Sequence, residues 1–256
     1  MKQGIVVVNH RTVDIEMRLR TIDDFVLSIG DRIEDADIVS AYTNSSVRKE
    51  IREITGEKIQ NVKAAILGLK DRGATHLTVV STGIAEDEEH ASMMEEIRGL
   101  MPIFSEVKIS KPLLSSRADY EITARAMKGA FSELVGDDIL IVATNGLRLD
   151  EDGVFDGFED ALRNHFARSY VVTLKGEKKL YKAIKDLKAS DVTSGRVVLV
   201  PLEFIAGNFI ENELSGEYPD MVMRLIKEGY KVETPFKGLA EYDHFQRLYM
   251  RHLYEA

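Results

Sequence analysis

The strongest constraint on the fold of this chain is the alternation of short apolar runs with longer amphipathic segments. Eight runs, most of them β-branched and apolar on both faces, predict strands at 5–8, 37–41, 77–80, 107–109, 139–142, 170–173, 197–200 and 231–233. Such runs are typical of a parallel sheet that helices cover on both sides. The alternation therefore predicts right-handed strand–helix–strand crossovers and a doubly wound α/β fold.

Three of the intervening segments carry apolar residues at helical spacing, which predicts one buried face for each helix. The predicted faces are Ile15, Leu19, Ile22 and Val26 in the first, Val62, Ile66 and Leu69 in 62–70, and Met221, Leu225 and Ile226 in 218–228.

The chain also repeats itself in order. In each half an asparagine follows the first strand and an aspartate five residues later opens a helix: Asn9 and Asp14, then Asn145 and Asp150. We therefore predict two similar flavodoxin-like halves, 1–130 and 137–256, each with a doubly wound and mainly parallel sheet. In folds of this kind ligands bind beyond the carboxyl ends of the strands, so we expect the two halves to face a central cleft.

Composition excludes several classes of function. The chain has no cysteine, so disulfides, iron–sulfur clusters and thiolate metal sites are excluded. A net charge of −9 disfavours nucleic acid, because the densest basic run, 175–188, is interrupted by acidic residues. No apolar run approaches the length of a membrane span or a signal segment, so we expect a cytoplasmic protein. The oligomeric state is left open, and a homo-oligomer is compatible with the sequence.

Three segments resemble the anaerobic cobalt chelatases, which insert cobalt into sirohydrochlorin during cobalamin synthesis. Ala-Tyr-Thr-Asn-Ser-Ser-Val-Arg-Lys at 41–49 is similar to a family segment that reads Ala-Phe-Thr-Ser before an Arg-Lys helix start. Pro-Leu-Leu-Ser-Ser at 112–116, followed by Asp119 and Tyr120, resembles the family closely. Pro-Leu at 201–202, followed by Ile-Ala-Gly-Asn at 205–208, resembles its Pro-Leu…Val-Ala-Gly-Asp-His run.

The departures from the family fall on its metal-binding residues. Family histidines are replaced by Asn145 after the first strand of the second half, and by Asn208 in the last segment. A third family histidine corresponds to Gly83, whereas the nearby family glutamate is matched by Glu89. Asparagine offers a weak amide oxygen ligand and accepts no proton near neutral pH. The resemblance therefore implies either a changed task or lost activity.

Site candidates follow from the resemblance and from the loops that carry it. We assign Glu89 and His90, with Asn145 and Asn208, to catalysis, and Glu89, His90 and His10 to a divalent metal such as cobalt, nickel or iron, bound as substrate or ligand. The candidates for binding the macrocycle and its carboxylates are His10, Arg11, Thr12, Thr43, Ser115 and Arg148.

Two functions remain open at this point, and a third is weaker. The first is a cobaltochelatase-like lyase that binds an acidic tetrapyrrole such as sirohydrochlorin and inserts a divalent metal. The second is a non-catalytic carrier or regulator that binds a tetrapyrrole or metallotetrapyrrole and has lost chelatase activity. The third is a hydrolase or transferase on a borrowed fold, since fold does not fix function.

Overall fold

The computed structural model describes residues 2–9, 14–147, 153–175, 178–205 and 220–256. Its strands are β1 (Gln3–Asn9), β2 (Ala36–Tyr42), β3 (His76–Ser81), β4 (Glu106–Ile109), β5 (Ile139–Thr144), β6 (Ser169–Thr173), β7 (Gly195–Pro201) and β8 (Tyr230–Glu233). Each of the eight predicted runs lies inside one of these strands. The strand prediction is therefore confirmed for all eight runs.

The strands form two four-stranded sheets that have the same topology. Their orders are β2-β1-β3-β4 and β6-β5-β7-β8, and every neighbouring pair is parallel. At the carboxyl end of the first sheet Asn9 is paired with Tyr42, and in the second Thr144 is paired with Thr173. The repeated order confirms two similar α/β halves.

Helices connect the strands in both sheets. They are α1 (Ile15–Arg18), which continues through a π-helical turn (Leu19–Asp23) into α2 (Asp24–Gly30), then α3 (Ser45–Thr55), α4 (Val62–Asp71), α5 (Glu88–Arg98), α6 (Arg117–Val135), α7 (Val154–Arg163), α8 (Leu180–Ala189), α9 (Asp220–Lys227) and α10 (Asp243–Glu255). Among the described residues, none of these helices combines the length and the apolar character needed to cross a membrane.

The predicted buried face of the first helix is confirmed only at Ile22. Ile15 and Leu19 are exposed, Val26 is half-buried, and the buried residues are Met17, Thr21, Ile22, Phe25 and Ile29. The π-helical turn inserts an extra residue per turn and rotates the faces that follow it, which a uniform spacing of 3.6 cannot reproduce. The other two predictions fare better: Val62, Ile66, Leu69, Met221 and Leu225 are buried, and Ile226 is exposed.

The contacts of the chain divide it into two compact units that differ from the predicted ranges 1–130 and 137–256. One unit contains Met1–Leu113 together with Gln246–Ala256, and the other contains Leu114–Phe245. The helix that closes the first sequence half, α6, therefore belongs to the second unit, where it packs on α7. Most of the helix that closes the second half, α10, belongs to the first unit. Packing thus exchanges the closing helices between the repeats.

Within the first unit, the end of the chain packs into the core. The ring of Tyr249 is fully buried and meets Phe25 edge-on, with ring centroids 6.1 Å apart. Its hydroxyl donates to the carbonyl oxygen of Thr82, directly after β3, at 3.4 Å. Gln246 Nε2 donates to Asp24 Oδ2 at 2.9 Å, and His252 Nδ1 donates to the carbonyl oxygen of Lys111 at 3.1 Å. These contacts tie α10 to the first sheet and to the loops at its carboxyl end.

Candidate functional site

In the first unit, polar backbone and side-chain groups join the carboxyl ends of β1 and β2. Asn9 is fully buried, and its carbonyl oxygen accepts a hydrogen bond from the Thr43 amide at 3.1 Å. Asn9 Nδ2 donates to the carbonyl oxygen of Val7 at 3.2 Å. Arg48 Nη1 donates to the carbonyl oxygens of Tyr42 and Thr43, at 2.6 and 2.8 Å. The segment 41–49 is thereby fixed at the strand ends, and Thr43 is held beside Asn9.

Hydrogen bonds from hydroxyl and backbone groups fix the loops after β3 and β4 in the same way. The Ser81 amide donates to Ser110 Oγ at 2.9 Å, and Thr82 Oγ1 donates to the carbonyl oxygen of Val8 at 2.9 Å. The Gly83 carbonyl oxygen accepts from the Leu113 amide at 3.0 Å. The start of the loop that leads to α5 is therefore bonded on one side to β1 and on the other side to the segment that follows β4.

Glu89 is distinguished from its acidic neighbours by burial. It lies in the first turn of α5, where the partial positive charge of the helix N-terminus favours a carboxylate. Glu86, Asp87 and Glu88 are exposed, whereas Glu89 is half-buried. Asp87 caps the helix by accepting from the His90 amide at 2.7 Å. Three of the four acidic residues are thus exposed, and Glu89 is the one that the protein partly covers.

His90 occupies the buried stripe of the same helix. It is buried, and Met93 and Ile97, three and seven residues later, are also buried and belong to the core of the first unit. His10, the other histidine that we assigned to metal, lies outside the described residues. Within the ranges that the structure describes, no three His, Asp or Glu side chains converge on a metal-sized site.

In the second unit, a carboxylate that the sequence analysis missed organises the strand ends. Glu203 follows β7, and its Oε1 accepts from Thr144 Oγ1 at 2.9 Å, from the Asn145 amide at 2.9 Å and from Asn145 Nδ2 at 3.2 Å. Glu203 is half-buried, as is Asn145. The carboxyl ends of β5 and β7, which are neighbours in the sheet, are thus joined through one carboxylate oxygen.

Gly146 makes the turn after Asn145 possible. Its φ is +75°, and a Cβ atom there would lie 2.5 Å from Thr173 Cβ and 2.8 Å from the carbonyl oxygen of Lys175. The Lys175 amide donates to the carbonyl oxygen of Asn145 at 2.9 Å, so the loops after β5 and β6 are in direct contact. No side chain fits between them.

We expect Gly146→Ala to lower the free energy of unfolding by about 2–3 kcal/mol, because it combines a left-handed backbone conformation with a steric clash. Gly153→Ala is the matched control in the same unit: its φ is +63°, and its nearest neighbour would be 3.9 Å away. That control is expected to cost about 1 kcal/mol. Urea denaturation measures both losses of stability. Equal losses would show that the structure adjusts to the clash between the new Cβ and Thr173 at no energetic cost.

Ser115 lies at the entry to α6. It is half-buried and precedes Ser116, whose Oγ accepts from the Asp119 amide at 3.2 Å and donates to Asp119 Oδ2 at 2.6 Å. The Pro-Leu-Leu-Ser-Ser segment thus ends in a helix N-cap. His10, Arg11, Thr12, Arg148 and Asn208 lie outside the described residues, so their predicted roles remain predictions.

Glu203 could have been found from the sequence by its position alone. It follows the Pro-Leu pair directly after a predicted strand, where parallel sheets place functional side chains. The family pattern directed attention to Asn208 instead, five residues further on. The partner of Glu203, Asn145, was a candidate because it replaces a family histidine. That Asn145 pairs with Glu203 could not be predicted without knowing that β5 and β7 are neighbours in the sheet.

Comparison with known proteins identifies relatives over the full length. The sequence model of the cobalt chelatase (CbiK) family matches residues 3–256. A sirohydrochlorin cobaltochelatase of Salmonella typhimurium strain LT2 is 21% identical over 257 aligned residues, which cover 100% of this chain and 97% of that protein.

Two solved structures show the same fold. SirB from Bacillus subtilis with Fe³⁺ superposes with a TM-score of 0.67 at 12% identity, covering 100% of this chain and 95% of that one. The sirohydrochlorin chelatase SirB from Bacillus subtilis subspecies spizizenii, in complex with cobalt, superposes with a TM-score of 0.63 at 13% identity and the same coverage.

Proposed function

The chain belongs to the cobalt chelatase (CbiK) family, and on that premise we propose that it binds an acidic tetrapyrrole of the sirohydrochlorin type and inserts a divalent metal, with cobalt as the first candidate. The observation that carries the proposal is the family match over residues 3–256. The cobaltochelatase relative and the cobalt complex of SirB support the choice of metal.

Metal insertion sets two chemical requirements. A divalent cation enters the macrocycle and forms bonds to its nitrogens, while two pyrrole N–H bonds break and their protons leave. A carboxylate serves both needs, since it accepts a proton and coordinates the cation on its way to the ring. We assign this role to Glu89, because it is half-buried at the carboxyl edge of the first sheet while the acidic residues before it are exposed.

Asn145 has a different role from the imidazole that the family carries at the corresponding position. An amide accepts no proton near neutral pH and binds cobalt weakly, so Asn145 contacts the ligand as a hydrogen-bonding group. We propose the same for Asn208. His10 and His90 stay candidates for metal ligands, and the remaining polar candidates serve the carboxylates of the macrocycle: Arg11, Thr12, Thr43, Ser115 and Arg148. We expect the protein to act in the cytoplasm.

A spectrophotometric titration with sirohydrochlorin, followed by addition of cobalt, tests this function. We expect a shift of the macrocycle bands on binding, and then metal insertion at a rate well above that of the uncatalysed reaction. A shift without accelerated insertion would instead support a non-catalytic carrier or regulator. Absence of any shift would exclude both functions.

A further inference from the structure

The hydrogen bonds of Glu203 fix the orientation of the Asn145 amide. A carboxylate oxygen accepts hydrogen bonds, so the edge of the amide that faces Glu203 Oε1 at 3.2 Å must be the nitrogen. Thr144 Oγ1 and the Asn145 backbone amide hold the same oxygen at 2.9 Å, so the carboxylate is itself held in place. The carbonyl edge of the amide therefore faces away from Glu203.

Asn145 Oδ1 is available to a ligand as far as the structure describes the chain. The side chain is half-buried, and Oδ1 has no hydrogen-bond partner among the described residues. It lies just beyond the carboxyl end of β5, the strand between β6 and β7. A fixed and neutral hydrogen-bond acceptor is thus presented at the edge of the second sheet.

We propose that Glu203 is a positioning residue that orients Asn145 so that its Oδ1 accepts a pyrrole N–H, and that this pair makes the site prefer the metal-free macrocycle to the metallated one. The inference rests on the proposed function and adds the form of the ligand that is recognised. A free-base tetrapyrrole carries inner N–H donors, whereas its metal complex has none because the metal has replaced those protons. A neutral acceptor forms a hydrogen bond with the free base, but it coordinates the metal of the complex only weakly.

The preference has a direct consequence for turnover. One hydrogen bond contributes about 0.5–1.5 kcal/mol net, which corresponds to about a 2- to 10-fold difference in affinity. The bond is made only while the ring carries its protons. Insertion of the metal therefore removes it and weakens the hold on the product.

The test measures the dissociation constants of sirohydrochlorin and of cobalt-sirohydrochlorin by their band shifts, for the wild type and three variants. We expect the wild type to bind the free base more tightly, and Asn145→Leu to reduce that ratio by about 2- to 10-fold. Glu203→Leu should reduce it as well, since removal of the acceptor lets the Asn145 amide turn over. Glu203→Gln should retain it, because the glutamine carbonyl Oε1 can still accept from Thr144 Oγ1, from the Asn145 amide and from Asn145 Nδ2.

The contrast between the two variants at position 203 separates orientation from charge, since a glutamate that acted through its charge would make Glu203→Gln and Glu203→Leu equally defective. A second Asn–Glu pair in the same unit provides the control: Asn164 Nδ2 donates to Glu121 Oε1 at 3.3 Å on the surface, so Asn164→Leu and Glu121→Leu should leave the ratio unchanged. Equal binding of both forms by the wild type, or an unchanged ratio in Asn145→Leu, overturns this inference alone. Binding of neither form by the wild type overturns the proposed function with it.

Discussion

Replacement of Glu89 by glutamine is expected to lower the rate of cobalt insertion by about 100-fold or more, a loss typical of removing a general base. Glutamine keeps the size and polarity of the side chain, but it accepts no proton near neutral pH and is a poor ligand for divalent cobalt. The free base should still bind and shift its bands, because the variant removes neither a strand nor a macrocycle contact that we assign. Stopped-flow absorbance under single-turnover conditions separates these two steps.

The neighbouring carboxylate provides the control. Glu88 is adjacent to Glu89 in the first turn of α5 and is exposed, so Glu88→Gln removes the same charge from the same helix end. It should retain insertion within a factor of about two, the range expected of an exposed charge. Equal losses of insertion rate in both variants would indicate that the negative charge at the start of α5, rather than Glu89 itself, supports the reaction. Full activity of Glu89→Gln would remove Glu89 from the mechanism.

Replacement of Tyr249 by alanine is expected to lower the free energy of unfolding of the first unit by about 3–5 kcal/mol. The ring is fully buried against Phe25, and the substitution leaves a cavity of aromatic size between α10 and α2. The cost should appear in urea denaturation as a lower midpoint. Hydrogen exchange should locate the loss of protection in β1 to β4, since those strands belong to the same unit.

Two variants separate the contributions of Tyr249. Tyr249→Phe keeps the ring and removes the 3.4 Å hydrogen bond to Thr82, so it should cost about 1 kcal/mol or less. Tyr254→Ala removes an exposed ring from the same helix and should change stability by about 0.5 kcal/mol at most. A small effect of Tyr249→Ala would show that α10 contributes little to the first unit.

The central strands β1 and β5 could be predicted from the sequence because burial on both faces leaves an apolar signature in every residue of a run. Runs such as 5–8 and 139–142 need no knowledge of their neighbours to be recognised. The face of the first helix could not be predicted in the same way, because the π-helical turn at Leu19–Asp23 breaks the periodicity on which the prediction depends.

The candidate site was predictable where it depends on position along the chain. Glu89 follows β3 and Asn145 follows β5, and strand ends of this kind identify site loops. Which carboxylate is covered, and which partner an asparagine meets, depends on contacts between segments far apart in sequence. Glu203 and Asn145 are 58 residues apart and become neighbours only because β7 lies beside β5. The order of the sheet, rather than any local motif, creates that pair.

The exchange of closing helices has a consequence for the order in which the protein forms on the ribosome. The strands of the first unit are synthesised first, but the unit also needs residues 246–256, which emerge only after all of Leu114–Phe245 has been made. At about 5–20 residues per second, the nascent first sheet waits on the order of ten seconds for the helix that covers Phe25. The second unit has all of its residues earlier, so the amino-terminal half of the chain is the last to complete its core.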